Sequence, residues 1–96
     1  MRYEIILSPE AVEDLRRLSA RTRAGVRDGI ERHLRHGPTK TTKSRIKRLR
    51  GVSRPEFRLR IADVRGFYDV VGRTVQVLAI VEKTGASAWL KRTGGA

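Results

Sequence analysis

The first third of the chain combines a short apolar run with two stretches in which apolar residues recur every three or four positions. The β-branched pair Ile5 and Ile6 favours a strand over residues 2–7. Ser8 can cap a helix that begins at Pro9, because the first helical position needs no N–H donor. The helical spacing that supports this helix is carried by Ala11, Val12, Leu15 and Leu18.

A second helix is predicted over residues 22–35, because Val26, Ile30 and Leu34 lie on one stripe of it. The segment "HGP" at residues 36–38 ends this helix. The two helices are expected to form an antiparallel hairpin joined by a few residues. The polar and basic stretch "TKTTKSRIKRLRG" that follows is predicted to be a loop tethered to the domain.

The second half of the chain has the two-residue period of strands. In "EFRLRIAD" the apolar Phe57, Leu59 and Ile61 alternate with Arg58 and Arg60, so the arginines share one face. "VRGFYDVV" and "TVQVLAIVE" predict two further strands joined by a tight "GR" turn. The last strand is apolar on both faces, which is typical of a central position in a sheet.

The predicted fold is α+β with the order β-α-α-β-β-β. The helical hairpin is packed on one face of a small, mainly antiparallel sheet. The opposite face carries the alternating arginines and is expected to be open, and the C-terminal tail after Lys83 is given no element. A chain of 96 residues predicts one domain, 1–96.

The charge of the chain changes this picture, because it is large and unevenly placed. The formal net charge is +12, and residues 40–65 contribute +8 of it from ten basic and two acidic side chains. Such a concentrated positive field attracts phosphate backbones, acidic protein segments or anionic lipid.

Other classes of protein are disfavoured by composition. The chain has no cysteine and only His33 and His36 as imidazoles, so we expect no metal site, and a helix-end role for both histidines. The N-terminal residues do not resemble a secretory signal, and no apolar run reaches the roughly 20 residues of a membrane span. The expected location is cytoplasmic, with no membrane partner.

Three segments in order resemble the RelE/ParE superfamily of toxins from bacterial type II toxin–antitoxin pairs. They are "YEIILSPEAVEDLRRL", "IKRLRG" and "FRLRIADVRGFYDVVGRTVQVLAIVEK". The second is similar to the lysine-leucine-any-glycine element of that superfamily. The third is similar to its run of a basic strand, an arginine, a tyrosine, a hairpin and an apolar strand. The resemblance extends to about Lys83.

The resemblance implies a function for each branch of the superfamily. The RelE-like branch, which we favour, implies a ribosome-dependent mRNA endoribonuclease that inhibits translation without a metal or another cofactor, using the substrate 2′-OH as nucleophile. The ParE-like branch implies an inhibitor of DNA gyrase without nuclease activity. Either branch implies a cognate acidic antitoxin that folds on binding and forms a hetero-oligomer with the toxin.

The resemblance also implies four catalytic residues by position, and these are Arg58, Arg60, Arg65 and Lys83. Arg58 and Arg60 are separated by two strand rises, about 7 Å, which is roughly the spacing of adjacent phosphates. Arginine stabilises negative charge but is a poor proton carrier. The same alternation is also expected of a solvated outer sheet face, so both interpretations stay open.

Further residues are predicted to bind nucleic acid, and these are Lys47, Arg48, Arg50, Arg54 and Trp89. Trp89 has alternatives, since the indole could complete the core or anchor the antitoxin. It lies in "KTGASAWL", where RelE-like ribonucleases commonly carry another arginine and a tyrosine. An indole cannot do the acid–base work of a phenol, which keeps the gyrase alternative open. Tyr68 is expected in the core rather than in catalysis.

Overall fold

The computed structural model describes residues 2–93, which form one five-stranded sheet with helices on both faces. In chain order the elements are β1 (Glu4–Leu7), α1 (Pro9–Arg17), α2 (Ala20–Leu34), β2 (Ile46–Arg48), β3 (Phe57–Ile61), β4 (Val64–Val71), β5 (Thr74–Glu82) and α3 (Lys83–Thr93). The strand order is β1-β5-β4-β3-β2, with β1 parallel to β5 and the other pairs antiparallel. The α+β class and the mainly antiparallel sheet are thereby confirmed.

Serine caps set the starts of the first two helices. The Ser8 hydroxyl accepts a hydrogen bond from the Ala11 N–H at 3.1 Å and donates one to a β5 carbonyl at 2.9 Å, which ties α1 to the sheet. The Ser19 hydroxyl accepts a bond from the Thr22 N–H at 3.2 Å. Because this cap lies at residue 19, α2 begins at Ala20, two residues before the predicted start.

The face of the sheet under α1 and α2 forms the main core. Tyr68 is fully buried there, and its ring stacks on Phe57 with centroids 5.4 Å apart. Its hydroxyl donates to the Pro38 carbonyl at 2.5 Å, and burial raises the pKa of Tyr68. Tyr68 is therefore a core residue, on the face opposite Arg58 and Arg60.

Two elements were missing from the predicted order. The stretch predicted to be a loop contains β2, in which the buried Ile46 pairs with Leu59 of β3. The C-terminal segment forms α3, which packs Trp89 against Phe67 on the second face of the sheet. That face was predicted to be open, but α3 covers its part over β4 and β5.

The close approach of α2 to β3 gives a prediction about stability. An alanine at Gly29 would place its Cβ 2.7 Å from Ile61 Cδ1 and 2.9 Å from Ile61 Cγ1, whereas a Cβ at Gly25 would meet nothing within 4 Å. Overpacking costs about 1–3 kcal/mol, and removing a helical glycine gains about 0.5–1 kcal/mol. We expect Gly29→Ala to lower the free energy of unfolding by about 1 kcal/mol net.

Gly25→Ala is the matched control, and it should raise the free energy of unfolding by about 0.5–1 kcal/mol. Urea denaturation of the two variants and the parent chain measures both changes. A stabilisation of equal size in both variants would show that α2 does not press on Ile61.

Candidate nucleic-acid interface

Strand pairing gathers four cations on one face of the sheet. Lys47 of β2 lies directly opposite Arg58 of β3, and Arg60 of β3 lies directly opposite Arg65 of β4. Directly paired residues of antiparallel strands share a face, and residues two apart along a strand do so as well. Lys47, Arg58, Arg60 and Arg65 therefore form one surface, which we call the arginine face.

The members of the arginine face differ in exposure. Lys47 and Arg60 are exposed and Arg58 is half-buried, whereas Arg65 retains only 8% of its accessible surface. The Arg65 Nη1 donates to the carbonyls of Ala62 and Val64, at 3.0 and 3.2 Å, in and beside the β3–β4 turn. Arg65 is thus held by the turn, and the exposed members are the ones that an incoming polyanion can reach directly.

The surroundings of Arg58 disfavour its positive charge. Its Nη2 donates to the Ser44 carbonyl at 3.1 Å, while its buried Nε has no hydrogen-bond partner within the described residues. Desolvation lowers the pKa of Arg58, and repulsion from Arg65 and Arg60 lowers it further. A phosphate oxygen placed on this face would relieve the repulsion among these cations.

Lys83, the fourth predicted catalytic residue, lies at one end of this surface. Its backbone N–H donates to the Asp63 carbonyl at 2.7 Å, where β5 ends and α3 begins. Lys83 follows two residues after Val81, the direct neighbour of Arg65 in β5. The exposed side chain of Lys83 therefore lies at the same end of the β4–β5 pair as Arg65.

Two of the predicted nucleic-acid contacts are engaged within the chain. Arg48 points away from Lys47, and its guanidinium lies 4.9 Å from the ring centroid of Phe57 and 3.9 Å from the Glu56 carboxylate. The Arg54 Nε donates to Asp69 at 2.7 Å, although its side chain is still 62% exposed. Arg50 is exposed on the loop between β2 and β3.

The structure assigns Trp89 to the core, which corrects its placement among the nucleic-acid contacts. The indole is 5% exposed and stacks on Phe67, with centroids 4.8 Å apart and 10° between planes. Its Nε1 donates to the Glu10 carboxylate at 3.0 Å. An indole covered in this way has no free face on which a base could stack.

Asp69 is a structurally important residue that the sequence reasoning missed. It is 4% exposed, lies on the same side of β4 as Arg65, and accepts bonds from the Arg54 Nε and the Glu56 N–H at 2.7 Å each. A lone aspartate inside the apolar strand "GFYDVV" was the available signal. These two bonds fasten the end of the β2–β3 loop to β4 beside the arginine face.

A separate groove of about 490 Å³ lies between α1, α2 and β1. Its apolar lining is formed by Ile5, Leu7, Val12, Leu15 and Ile30. Its polar lining has four arginines and one acid, and consists of Arg16, Arg23, Arg27, Arg35 and Glu31. We call it the helix groove, and its chemistry suits an amphipathic acidic segment better than a bare nucleic-acid strand.

Residues 2–93 contain no group of three or more His, Cys, Asp or Glu side chains that could hold a metal ion. Within the same residues, no helix has the length and apolar character needed to cross a membrane.

The fold matches that of chains from RelE–RelB complexes. A chain of the toxin–antitoxin complex RelBE2 from Mycobacterium tuberculosis superposes with a TM-score of 0.69 at 24% identity, covering 85% of this chain and 99% of that one. For the RelB–RelE antitoxin–toxin complex from Methanococcus jannaschii the TM-score is 0.67 at 18% identity, with coverage of 88% and 96%.

An archaeal RelE–RelB complex from Pyrococcus horikoshii gives a TM-score of 0.64 at 21% identity, covering 86% of this chain and 97% of that one. No protein-family model and no curated protein matches the sequence. The structural agreement defines a RelE-type fold, as the order of the sequence segments had indicated.

The Asp69 contacts give a prediction for this region. Asp69→Asn removes the negative charge of a nearly buried carboxylate that accepts bonds from Arg54 and from the Glu56 N–H, so we expect the free energy of unfolding to fall by about 1–3 kcal/mol. Amide hydrogen exchange should rise in residues 49–56 more than elsewhere.

Asp28→Asn is the matched control, because Asp28 pairs with Arg32 in a salt bridge whose side chains are both 69% exposed. It should change the free energy of unfolding by less than about 0.5 kcal/mol. Unchanged exchange in residues 49–56 of the Asp69 variant would mean that this carboxylate does not hold the loop.

Proposed function

We propose that this chain is the toxin of a type II toxin–antitoxin pair and a metal-independent endoribonuclease that cuts mRNA on the ribosome. The observation that carries the proposal is the arginine face, where three arginines and Lys47 converge on adjacent strands. The RelE-type fold supports the same reading, since the matched chains belong to toxin–antitoxin complexes.

The proposed chemistry is a transesterification within the RNA strand. The 2′-OH loses its proton and attacks the neighbouring phosphorus, an O–P bond forms, and the bond from phosphorus to the 5′ oxygen breaks. The departing 5′ oxygen takes up a proton, so the products are a 2′,3′-cyclic phosphate and a 5′-OH. The arginine face binds the non-bridging oxygens and stabilises their added negative charge, while the strand backbone keeps the guanidiniums in place.

Proton transfer is the weaker part of this chemistry. Strands β2, β3 and β4 place no histidine or tyrosine on the arginine face, and their carboxylate on that side, Asp69, is buried and doubly hydrogen-bonded. The proton carriers in reach are the ammonium groups of Lys47 and Lys83, together with water. Catalysis would therefore rest mainly on positioning and charge stabilisation.

Arg60→Ala tests the catalytic role of the arginine face. Arg60 is exposed, so its removal should leave the fold intact while lowering the cleavage rate about 10²–10³-fold, as loss of one charge-stabilising donor does. Brief induction followed by mapping of mRNA 5′ ends measures this. Arg73→Ala, in the exposed β4–β5 turn, is the control and should cut like the parent chain. Growth arrest without new mRNA ends would refute the nuclease.

Inhibition of DNA gyrase is the second candidate, and the shortage of proton carriers on the arginine face favours it. A binding inhibitor needs a cationic surface but no acid–base group. Purified gyrase with supercoiled plasmid should then accumulate cleaved complexes when the chain is added. Unaltered supercoiling at stoichiometric amounts would remove this candidate.

The proposed antitoxin partner fits the helix groove. The groove joins an apolar floor to an arginine-rich rim, so an acidic amphipathic segment can bury its apolar side and pair its carboxylates. Val12, which lines the groove, is 43% exposed in the isolated chain. The structural neighbours are themselves toxin–antitoxin complexes.

Val12→Glu tests this docking. A carboxylate placed in the apolar part of the groove, opposite an acidic segment, should weaken binding of the co-expressed partner at least about tenfold, measured by titration calorimetry. Val71→Glu is the control, because Val71 is 60% exposed at the far end of β4 and does not line the groove. Equal affinities for both variants would place the partner elsewhere on the surface.

A further inference from the structure

A second basic concavity, of about 550 Å³, lies where the end of α2, the following loop and the start of β2 meet. We call it the α2-end pocket. Five of its lining side chains are basic, and they are Arg32, His33, His36, Lys40 and Arg45. No Asp or Glu is among the residues that line it. Asp28 pairs with Arg32 at 3.5 Å from outside the lining, so the cluster keeps an excess of positive charge, which favours an anionic ligand.

The lining of the pocket favours phosphate over an acidic protein segment. Its one large apolar residue, Ile46, is 3% exposed, so little apolar surface is available to a peptide that must fold on binding. Cationic donors together with the hydroxyls of Thr42 and Ser44 suit phosphate oxygens instead. This chemistry differs from that of the helix groove, which has an apolar floor.

The pocket is joined to the arginine face through Arg45. The Arg45 Nη1 donates to the Arg60 carbonyl at 3.3 Å, and the Arg60 N–H donates to the Arg45 carbonyl at 2.8 Å. Arg58 donates from its Nη2 to the carbonyl of Ser44, which also lines the pocket. A strand lying on Arg58 and Arg60 would therefore meet Arg45 at the sheet edge and the pocket beyond it.

We propose that the α2-end pocket is a second phosphate-binding subsite for an RNA strand, which holds backbone phosphates several nucleotides away from those on the arginine face. The proposal rests on the proposed function in taking RNA as the polyanion. The pocket would supply affinity and register, while the arginine face supplies the chemistry.

The pKa of His33 provides a measurement specific to this subsite. Its pKa is lowered by burial, and further by the charges of Arg45 and Arg32, while Asp28 opposes this shift. The side chains of Lys40 and His36 also line the pocket. The lowered pKa favours the neutral imidazole of His33 in the free chain. Phosphates in the pocket favour the imidazolium, so bound RNA should raise the pKa of His33 and binding should tighten as the pH falls.

The test uses uncleavable 2′-O-methyl RNA strands of 6 and 16 nucleotides, with affinity measured by fluorescence anisotropy over a range of salt. The variant Arg32→Gln/Lys40→Gln removes two exposed cations of the pocket. Each single-strand phosphate contact contributes about 0.7 to the slope of log affinity against log salt concentration. For the long strand this slope should therefore fall by about 1.4, and the affinity should fall about tenfold. Binding of the short strand should change less than about twofold.

Arg73→Gln/Arg92→Gln is the matched control, because it removes the same charge from exposed positions outside the pocket. An equal loss in the control, or an equal loss for both strand lengths, would reduce the effect to general charge and overturn the proposal. The proposal would also be overturned if the Arg32→Gln/Lys40→Gln variant lost affinity for an acidic peptide but not for RNA. In NMR titrations, a His33 pKa that does not rise with the 16-nucleotide strand bound would do the same.

These outcomes are separable from those of the proposed function. Binding of uncleavable RNA requires no nuclease activity, so the pocket can pass its test when no mRNA is cut. Conversely, if the chain cuts mRNA but the Arg32→Gln/Lys40→Gln variant binds the long strand as tightly as the parent chain does, only the subsite proposal is refuted.

Discussion

The pairing register of β3 with its two neighbours is the constraint on which the arginine face depends. Lys47 opposes Arg58, and Arg60 opposes Arg65, because the buried Ile46 and Leu59 fix the pairing from the other side. A slip of one residue would turn every side chain of β3 to the opposite face. The burial of the apolar residues on one side thus determines where the cations lie on the other.

The fold bears an electrostatic cost for this arrangement. Repulsion from Arg65 and Arg60 disfavours the charge on Arg58, and hydrogen bonds from Arg58 and Arg65 to backbone carbonyls oppose this effect. A ligand that binds the folded chain and cancels these charges stabilises it through linkage. A polyanion bound to the arginine face would therefore raise the stability of the folded domain.

The elements that carry strong periodicity could be predicted from the sequence. The alternation of Phe57, Leu59 and Ile61 with Arg58 and Arg60 defined β3 and its faces, and the apolar "TVQVLAIVE" defined β5, which lies inside the sheet between β1 and β4. The short strand β2 could not be predicted, because its three residues include one apolar side chain and pair only through tertiary contacts. Lys47 was consequently assigned to a loop, although it belongs to the arginine face.

Contacts between residues far apart in the chain also could not be predicted from the sequence. Asp69 and Arg54 lie 15 positions apart, and neither shows its partner in the local pattern. The segment of α3 lacks a clear apolar stripe, since Ala86, Trp89 and Leu90 are its only residues packed into the second core. The sequence therefore left several roles open for Trp89, and the structure shows that it packs against Phe67.

The position of Trp89 has one further consequence. It is the single tryptophan of the chain, and its surroundings combine the Phe67 ring of β4 with the Glu10 carboxylate of α1. Its fluorescence emission thus originates from a site that exists only while the C-terminal helix is seated. The molecule carries a built-in optical probe where α3 meets α1, spectrally distinct from Tyr3 and Tyr68 of the main core.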